Sequence, residues 1–206
     1  MKLSASQKKS LETAASRYAG AVGAAGEYLQ ARGIAAEAAS GYRLGVVADP
    51  LPEDSEFAGR LAIPYIAGGT VVDIRFRALT ADQTPKYLSK PNAKTRMFNV
   101  QALVTDSPVV AVCEGELDTI IMHSQAGIPA VGIPGANNWK PHFRLLLEDF
   151  ERVVVFCDGD QAGRDFGKKI AAELDNASVV HLPEGKDVND CFLEHGADWL
   201  RAKVGI

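Results

Sequence analysis

The stretch that decides the fold is RVVVFCDGDQAGRD, residues 152–165. Its apolar run, Val153 to Phe156, leads directly into two carboxylates, Asp158 and Asp160, which are separated by one glycine. A short continuous apolar run of this kind predicts a strand that is buried on both faces. The glycine permits a tight backbone turn, so both carboxylates can face the same site.

The chain on either side of this stretch shows the same pattern of apolar and amphipathic segments. Apolar runs alternate with amphipathic segments from Ser107 onward, in the order PVVAVC, LDTIIMHSQAG, IPAVGI, WKPHFRLLLEDF, RVVVFC, AGRDFGKKIAAEL and ASVVHL. Continuous apolar strands that each lead into a helix predict an α/β fold, with a parallel sheet flanked by helices. We place this domain at residues 106–206.

Residues 1–105 have a different pattern, which predicts a smaller, basic α+β subdomain. The first forty residues have apolar positions at helical spacing. LAIPYI and TVVDIRFRAL flank the turn signal Ala67-Gly68-Gly69, which predicts a β-hairpin. In the second strand the predicted apolar face is Val72, Ile74 and Phe76, and the opposite face presents Arg75 and Arg77.

Composition and charge limit the classes of function. The 206 residues are 47% hydrophobic and 23% charged, which is ordinary for a globular protein. The net charge of −4 hides a division: residues 60–100 hold seven bases and two acids (7 − 2 = +5), whereas residues 106–190 hold seven bases and fifteen acids (7 − 15 = −8). A basic region beside an acidic one suits a polyanion on one side and cations on the other.

Cysteine usage and hydropathy predict the compartment. The three cysteines occur singly, without a C-x-x-C pair, as expected for a reduced cytoplasmic protein. No apolar run approaches the roughly 18 residues of a membrane span. We therefore expect a cytoplasmic protein that has no membrane partner.

Acidic residues follow three of the predicted strands. Glu114 follows PVVAVC, Asp158 follows RVVVFC, and Asp187 follows the last strand within GKDVND. Ligands gather at the carboxyl ends of strands in open α/β sheets. Like charges at one edge imply either wide separation or bound cations, and we favour cations. Oxygen ligands with only scattered histidines indicate Mg²⁺ or Mn²⁺.

The order EGELD, DGDQAG, GKDVND over residues 107–195 resembles the Toprim domain, the catalytic module shared by bacterial-type primases, topoisomerases and some nucleases. The N-terminal half resembles the basic subdomain that precedes Toprim in bacterial and phage primases, through the fragments EYLQARGI, YRLG, GRLAIPYIAGGTVVDIRFRAL, PKYLSKP and MFN. With both halves, the resemblance extends over residues 27–195.

The resemblance implies a set of site residues. The acids that match the metal-binding positions of the family are Glu114, Asp158, Asp160 and Asp187, with Asp118 at a weaker position of EGELD. Of these, Glu114, Asp158 and Asp160 are the predicted catalytic residues, and Glu114 is either a metal ligand or a general base. Template or nucleotide contacts match basic and aromatic positions of the first half: Arg60, Arg75, Arg77, Lys86 and Tyr87.

The function that the resemblance implies is that of a DNA primase core, a nucleotidyltransferase that makes short RNA primers by two-metal chemistry. Its implied partners are single-stranded DNA, ribonucleoside triphosphates, and a separate zinc-ribbon protein and replicative helicase, because neither the zinc ribbon nor the helicase-binding domain of the family is present in this sequence. The third motif, DVND, departs from the cellular pattern and is closer to phage primases. For a phage-encoded protein, the expected compartment is the host cytoplasm. The alternatives are a Toprim-type nuclease and a non-catalytic DNA-binding module.

Overall fold

The computed structural model describes residues 3–135 and 138–206. The chain divides into two compact units, Met1–Lys94 and Thr95–Ile206. None of the helices within the described ranges combines the length and the apolar character that crossing a membrane requires.

The first unit combines short helices with an antiparallel sheet. Its helices are α1 (Ala5–Ala19), α2 (Gly26–Ala31) and α3 (Ala36–Gly41), with 3-10 turns at Val22–Ala25 and Pro52–Phe57. Its strands are β1 (Gly45–Val46), β2 (Leu61–Ala67), β3 (Thr70–Arg77) and β4 (Tyr87–Ser89), in the spatial order β1-β2-β3-β4. The antiparallel pairing of β2 with β3 confirms the predicted hairpin.

The apolar face of β3 differs from the prediction at one position. Val71, Ile74 and Phe76 are fully buried in a cluster with residues of α1, whereas Val72 lies partly exposed. The register of the hairpin shifts between Tyr65 and Ile66, and this irregularity changes the phase of the alternation before Ile74.

The second unit has the predicted α/β architecture. Its strands are β5 (Val109–Cys113), β6 (Ala130–Gly132), β7 (Arg152–Cys157) and β8 (Ala177–His181), all parallel and in the order β6-β5-β7-β8. The helices are α4 (Glu116–Ile120), which continues into a π-helical turn at Ile121–Gln125, then α5 (Pro141–Arg144), α6 (Gln161–Ala171), α7 (Val188–His195) and α8 (Ala197–Val204). Apolar side chains from both faces of β5 and β7 are buried, as their sequences predict.

The second unit begins earlier than the sequence suggests. Phe98 pairs with Gly132 through two backbone hydrogen bonds, and Asn99 donates its side-chain N–H to the Ala130 carbonyl over 2.8 Å. Met97 and Ala102 contribute to the core of this unit. Residues 97–102, which precede the predicted boundary at residue 105, therefore pack on the parallel sheet of this unit.

Candidate active site

Glu114 lies immediately after β5, where its half-buried carboxylate contacts the end of the neighbouring strand β7. Its Oε1 accepts a hydrogen bond from the backbone N–H of Asp158 over 3.1 Å. Burial raises the pKa of Glu114 to about 7, and the negative charges of Asp160 and Asp118 act in the same direction. The hydrogen bond from Asp158 opposes this shift of the pKa. The site thus holds a carboxylate whose negative charge is poorly compensated.

Asp158 and Asp160 occupy the turn between β7 and α6. Asp158 is half-buried, and Asp160 is exposed. Oδ1 of Asp160 accepts a hydrogen bond from the Gly163 N–H over 2.7 Å, so this residue is the N-cap of α6. A side chain at Gly159 would place its Cβ 1.8 Å from the Pro183 carbonyl oxygen, so the glycine also permits the next loop to pack closely.

Gly163 is a site residue that the sequence reasoning missed. A Cβ atom at this position would lie 2.3 Å from the carbonyl oxygen of Asp158 and 2.8 Å from Oε1 of Glu114. Glycine therefore lets α6 begin directly against both acidic loops. The signal was present in DGDQAG, since a glycine within the first turn of a helix is unfavourable unless close packing requires it.

Asp187 follows β8 and begins α7. Its Oδ1 accepts the N–H of Asp190 over 2.8 Å, and Oδ2 of Asp190 accepts the N–H of Asp187 over 3.2 Å, forming a capping box. Asp187 follows β8, which lies on the side of β7 away from β5 and Glu114. The preceding residue, Lys186, accepts the Gly159 N–H with its carbonyl over 2.8 Å, which joins this loop to the turn of Asp158 and Asp160.

Asp118 is buried on α4, with 9% of its surface exposed. Its Oδ1 accepts a hydrogen bond from the backbone N–H of Asn189 over 3.1 Å, which links the first acidic motif to the third. The neighbouring Gly115 is needed here, because a Cβ atom would lie 2.4 Å from Oδ2 of Asp118.

These acids suit an ion that needs few protein ligands. Within residues 3–135 and 138–206, no three His, Cys, Asp or Glu side chains converge closely enough to chelate a metal. The charges of Asp160 and Asp118 nevertheless act on Glu114, and Asp158 contacts it directly. Mg²⁺ is commonly bound through one or two carboxylates together with waters and substrate phosphates. The donor set and the uncompensated charge at Glu114 fit such an ion.

The predicted basic contacts of the first unit differ in exposure. Arg60 is 5% exposed, and its guanidinium donates to the carbonyl of Pro85 over 2.7 Å and to that of Thr84 over 3.3 Å. Lys86, between these anchors and β4, is exposed. Arg60 thus fixes the main chain that carries Lys86.

Arg77 is 6% exposed and is held by two tyrosines. Its Nε donates to the Tyr28 hydroxyl over 2.6 Å, and its Nη1 donates to the Tyr87 hydroxyl. The Arg75 guanidinium lies over the Tyr87 ring, 4.5 Å from its centroid. Arg75 and Tyr87 are both partly exposed, whereas Lys86 is exposed at the surface.

A buried ion pair fixes the other end of this loop. Lys90 Nζ lies 2.6 Å from Oδ1 of Asp54, whose side chain is fully buried, and Oδ2 of Asp54 accepts the Tyr18 hydroxyl over 2.7 Å. Lys90 was counted in the basic region of the sequence, but here its charge is compensated. Residues 84–90 are therefore anchored at both ends, with Lys86 between the anchors.

Similarity to known proteins extends over both units. A family profile described as Toprim-like matches residues 111–192. The gene 57 protein of Mycobacterium phage D29 is 41% identical over 153 residues, which cover 72% of this chain and 99% of the phage protein. The DNA primase of Aquifex aeolicus is 28% identical over 162 residues, covering 72% of this chain and 32% of the primase.

The fold agrees with a solved primase structure. The DnaG primase catalytic domain bound to single-stranded DNA matches with a TM-score of 0.74 at 20% identity, over 94% of this chain and 76% of that one. This similarity establishes the fold. The chain spans about a third of the length of the Aquifex primase, so it matches only part of that protein.

Proposed function

Because this chain belongs to the Toprim-containing family of phage and bacterial primase cores, we propose that it synthesises short RNA primers on single-stranded DNA. The reaction is nucleotidyl transfer, with ribonucleoside triphosphates as substrates. The observation that carries this proposal is the half-buried carboxylate of Glu114, which meets Asp158 where two neighbouring strands end. That arrangement concentrates negative charge at the edge where α/β sheets bind ligands.

The acids Glu114, Asp158, Asp160 and Asp187 are the residues that would hold Mg²⁺ or Mn²⁺. Bound there, such ions would lower the pKa of an attacking 3′-hydroxyl and would stabilise the leaving pyrophosphate. The protein contributes carboxylates on short, hydrogen-bonded turns, so their placement is set before the substrate arrives. Asp160 keeps its position by capping α6, and Asp187 by the capping box of α7.

The raised pKa of Glu114 bears on the choice between its two predicted roles, general base and metal ligand. With a pKa of about 7, its carboxylate can accept a proton from a hydroxyl near neutral pH. A neighbouring cation would stabilise the ionised form and favour the ligand role. The N–H of Asp158 keeps Oε1 oriented in both cases.

The exposed Lys86 and the partly exposed Arg75 and Tyr87 are proposed to bind the template or the nucleotide. Lys86 and Arg75 offer charge to phosphates. The Tyr87 ring, against which the Arg75 guanidinium lies, places an aromatic group beside these charges. Arg60 and Arg77 are proposed to hold the residues that make these contacts in place, since both guanidinium groups already donate hydrogen bonds to protein oxygens. Single-stranded DNA is the ligand of the similar primase structure, which supports it as the partner here.

A primer-synthesis assay tests the proposal. The chain is incubated with single-stranded DNA, the four ribonucleoside triphosphates and Mg²⁺, with and without a phage zinc-ribbon protein and the host helicase as proposed partners. We expect labelled oligoribonucleotides that disappear in the Glu114→Gln variant. Shortening of the DNA would instead identify a nuclease. DNA binding that persists unchanged in a chelator, without a product under any condition, would identify a non-catalytic module.

A further inference from the structure

We propose that Asp118 is a positioning residue that holds the loop of the third acidic motif, and that it does not bind the metal. The inference rests on the proposed function, because it assigns roles within the same metal site. It also separates Asp118 from the other acids that the family resemblance groups together.

The side chain of Asp118 is already directed toward the protein. Its Oδ1 accepts the backbone N–H of Asn189 over 3.1 Å, and Oδ2 packs so closely on Gly115 that a Cβ there would lie 2.4 Å away. Only 9% of the residue is exposed, compared with the half-buried Glu114 and the exposed Asp160. The carboxylate is thus held by one main-chain hydrogen bond through Oδ1, with Oδ2 beside the backbone of Gly115.

The N–H that it accepts needs such a partner. Asn189 is 1% exposed, and it is the second residue of α7, where a helix N–H has no acceptor within the helix. Asp187 caps the N–H of Asp190, so it satisfies a different donor of the same first turn. Asp118 supplies the acceptor for Asn189 from α4, which packs against α7.

The consequence is a link between two acidic motifs that are far apart in sequence. Asp187 is two residues before Asn189, so the Asp118 hydrogen bond fixes the start of α7 and with it the direction of the Asp187 side chain. Groups that orient metal ligands in this way commonly change metal affinity by about 10- to 100-fold when they are removed. Asp118 would therefore affect metal binding in two ways: by placing Asp187, and by adding its own negative charge near the site.

Two substitutions separate placement from ligation. Asp118→Asn keeps an oxygen that can accept the Asn189 N–H but removes the charge and most of the affinity for metal. Asp118→Ala removes both. Asp158→Asn, at a proposed ligand, is the reference variant. Two quantities are measured on the full chain: Mg²⁺ affinity by titration calorimetry, and the amide exchange rate of Asn189 by NMR in a chelator.

We expect Asp118→Ala to accelerate exchange at Asn189 and to weaken Mg²⁺ binding by about tenfold or more. Asp118→Asn should keep the parental exchange rate and lose much less affinity, with a residual loss that shrinks as salt screens the missing charge. Asp158→Asn should lose Mg²⁺ binding while Asn189 exchanges as in the parent.

The proposal is overturned if Asp118→Asn binds Mg²⁺ as poorly as Asp158→Asn, because that result identifies a ligand. It is also overturned if the amide of Asn189 exchanges at the parental rate in Asp118→Ala. Should Asp118→Ala fail to fold, the affinity of Asp118→Asn alone decides. Parental Mg²⁺ affinity in Asp158→Asn would contradict the proposed function instead, and the exchange data would still report on the Asp118 hydrogen bond.

Discussion

Asp158 donates its backbone N–H to Oε1 of Glu114 over 3.1 Å, which joins the loops that follow two adjacent parallel strands. The donor is main chain, so substitutions of the Asp158 side chain leave it in place. The acceptor is a carboxylate whose pKa burial raises to about 7. The two motifs are therefore held together by a structural group, the backbone N–H of Asp158, and by a chemically active group, the carboxylate of Glu114.

The raised pKa of Glu114 predicts a pH dependence of stability in the metal-free protein. Its folded pKa of about 7 lies above its usual value of 4.5, so folding favours the protonated form. The stability from this group is present below about pH 4.5 and is lost as the pH rises through 7. In a chelator, we expect Glu114→Gln to melt about 2–4 °C above the parent at pH 8 and level with it at pH 4.5.

Thermal melts across this pH range provide the measurement. Glu151→Gln, at an exposed carboxylate of the same unit, is the matched control and should follow the parent. Melting curves of Glu114→Gln that run parallel to the parent at every pH would show that Glu114 has no raised pKa.

The double variant Asp158→Asn, Asp160→Asn tests whether these acids serve the metal or the fold. Asparagine is as good an N-cap as aspartate, so the hydrogen bond to Gly163 should survive. We expect the metal-free variant to melt at or slightly above the parent, because repulsion with Glu114 is reduced, and the stabilisation that Mg²⁺ gives the parent to disappear. A metal-free double variant that melts far below the parent would show that the two acids are structural.

Close packing at Gly163 predicts a large effect of one methyl group. In Gly163→Ala the new Cβ would lie 2.3 Å from the Asp158 carbonyl oxygen and 2.8 Å from Glu114 Oε1, so both acidic loops must move. We expect a loss of about 1–3 kcal/mol in the free energy of unfolding, together with weaker Mg²⁺ binding. Gly26→Ala is the control, because nothing lies within 4 Å of its added Cβ. Denaturant titrations that show equal stability for both variants would contradict the packing argument.

The sequence predicted the parallel sheet and the placement of the acids because both follow from local patterns. Uninterrupted apolar runs specify strands that are buried on both faces, as in β5 and β7. The topology of α/β sheets then brings the residues after those strands, Glu114 and Asp158, to one edge. These conclusions need no knowledge of which distant side chains meet.

The features that sequence reasoning missed depend on distant contacts. The alternation along β3 predicted the face of the strand on which Arg77 lies. It did not predict the contact that Arg77 makes with Tyr28 of α2, which is 49 residues away in the sequence. The Asp118 carboxylate and the N–H of Asn189 are 71 residues apart, so EGELD alone does not distinguish a ligand from a hydrogen-bond acceptor. The shift in hairpin register between Tyr65 and Ile66 likewise depends on pairing with the other strand, so the sequence of β3 did not show that Val71, and not Val72, is the buried residue.

The division of the basic residues into contacts and supports gives the last prediction. Lys86 is exposed, so Lys86→Ala should leave the melting temperature unchanged while it weakens single-stranded DNA binding. If Lys86 neutralises one phosphate, the slope of log affinity against log salt should become shallower by about 0.7. Fluorescence anisotropy with a labelled oligonucleotide at several salt concentrations measures both quantities.

Arg77→Lys provides the contrast, because it keeps the charge but loses the fork that binds the Tyr28 and Tyr87 hydroxyls. Hydrogen bonds of charged groups contribute about 1.5–3 kcal/mol, so this variant should be clearly less stable than Lys86→Ala. We expect only an indirect loss of DNA affinity in Arg77→Lys, caused by displacement of Tyr87 and of the loop that carries Lys86. Two results together would instead identify Arg77 as a direct phosphate contact. Arg77→Lys would keep the parental stability, and the salt slope of DNA binding would change in Arg77→Ala as it does in Lys86→Ala.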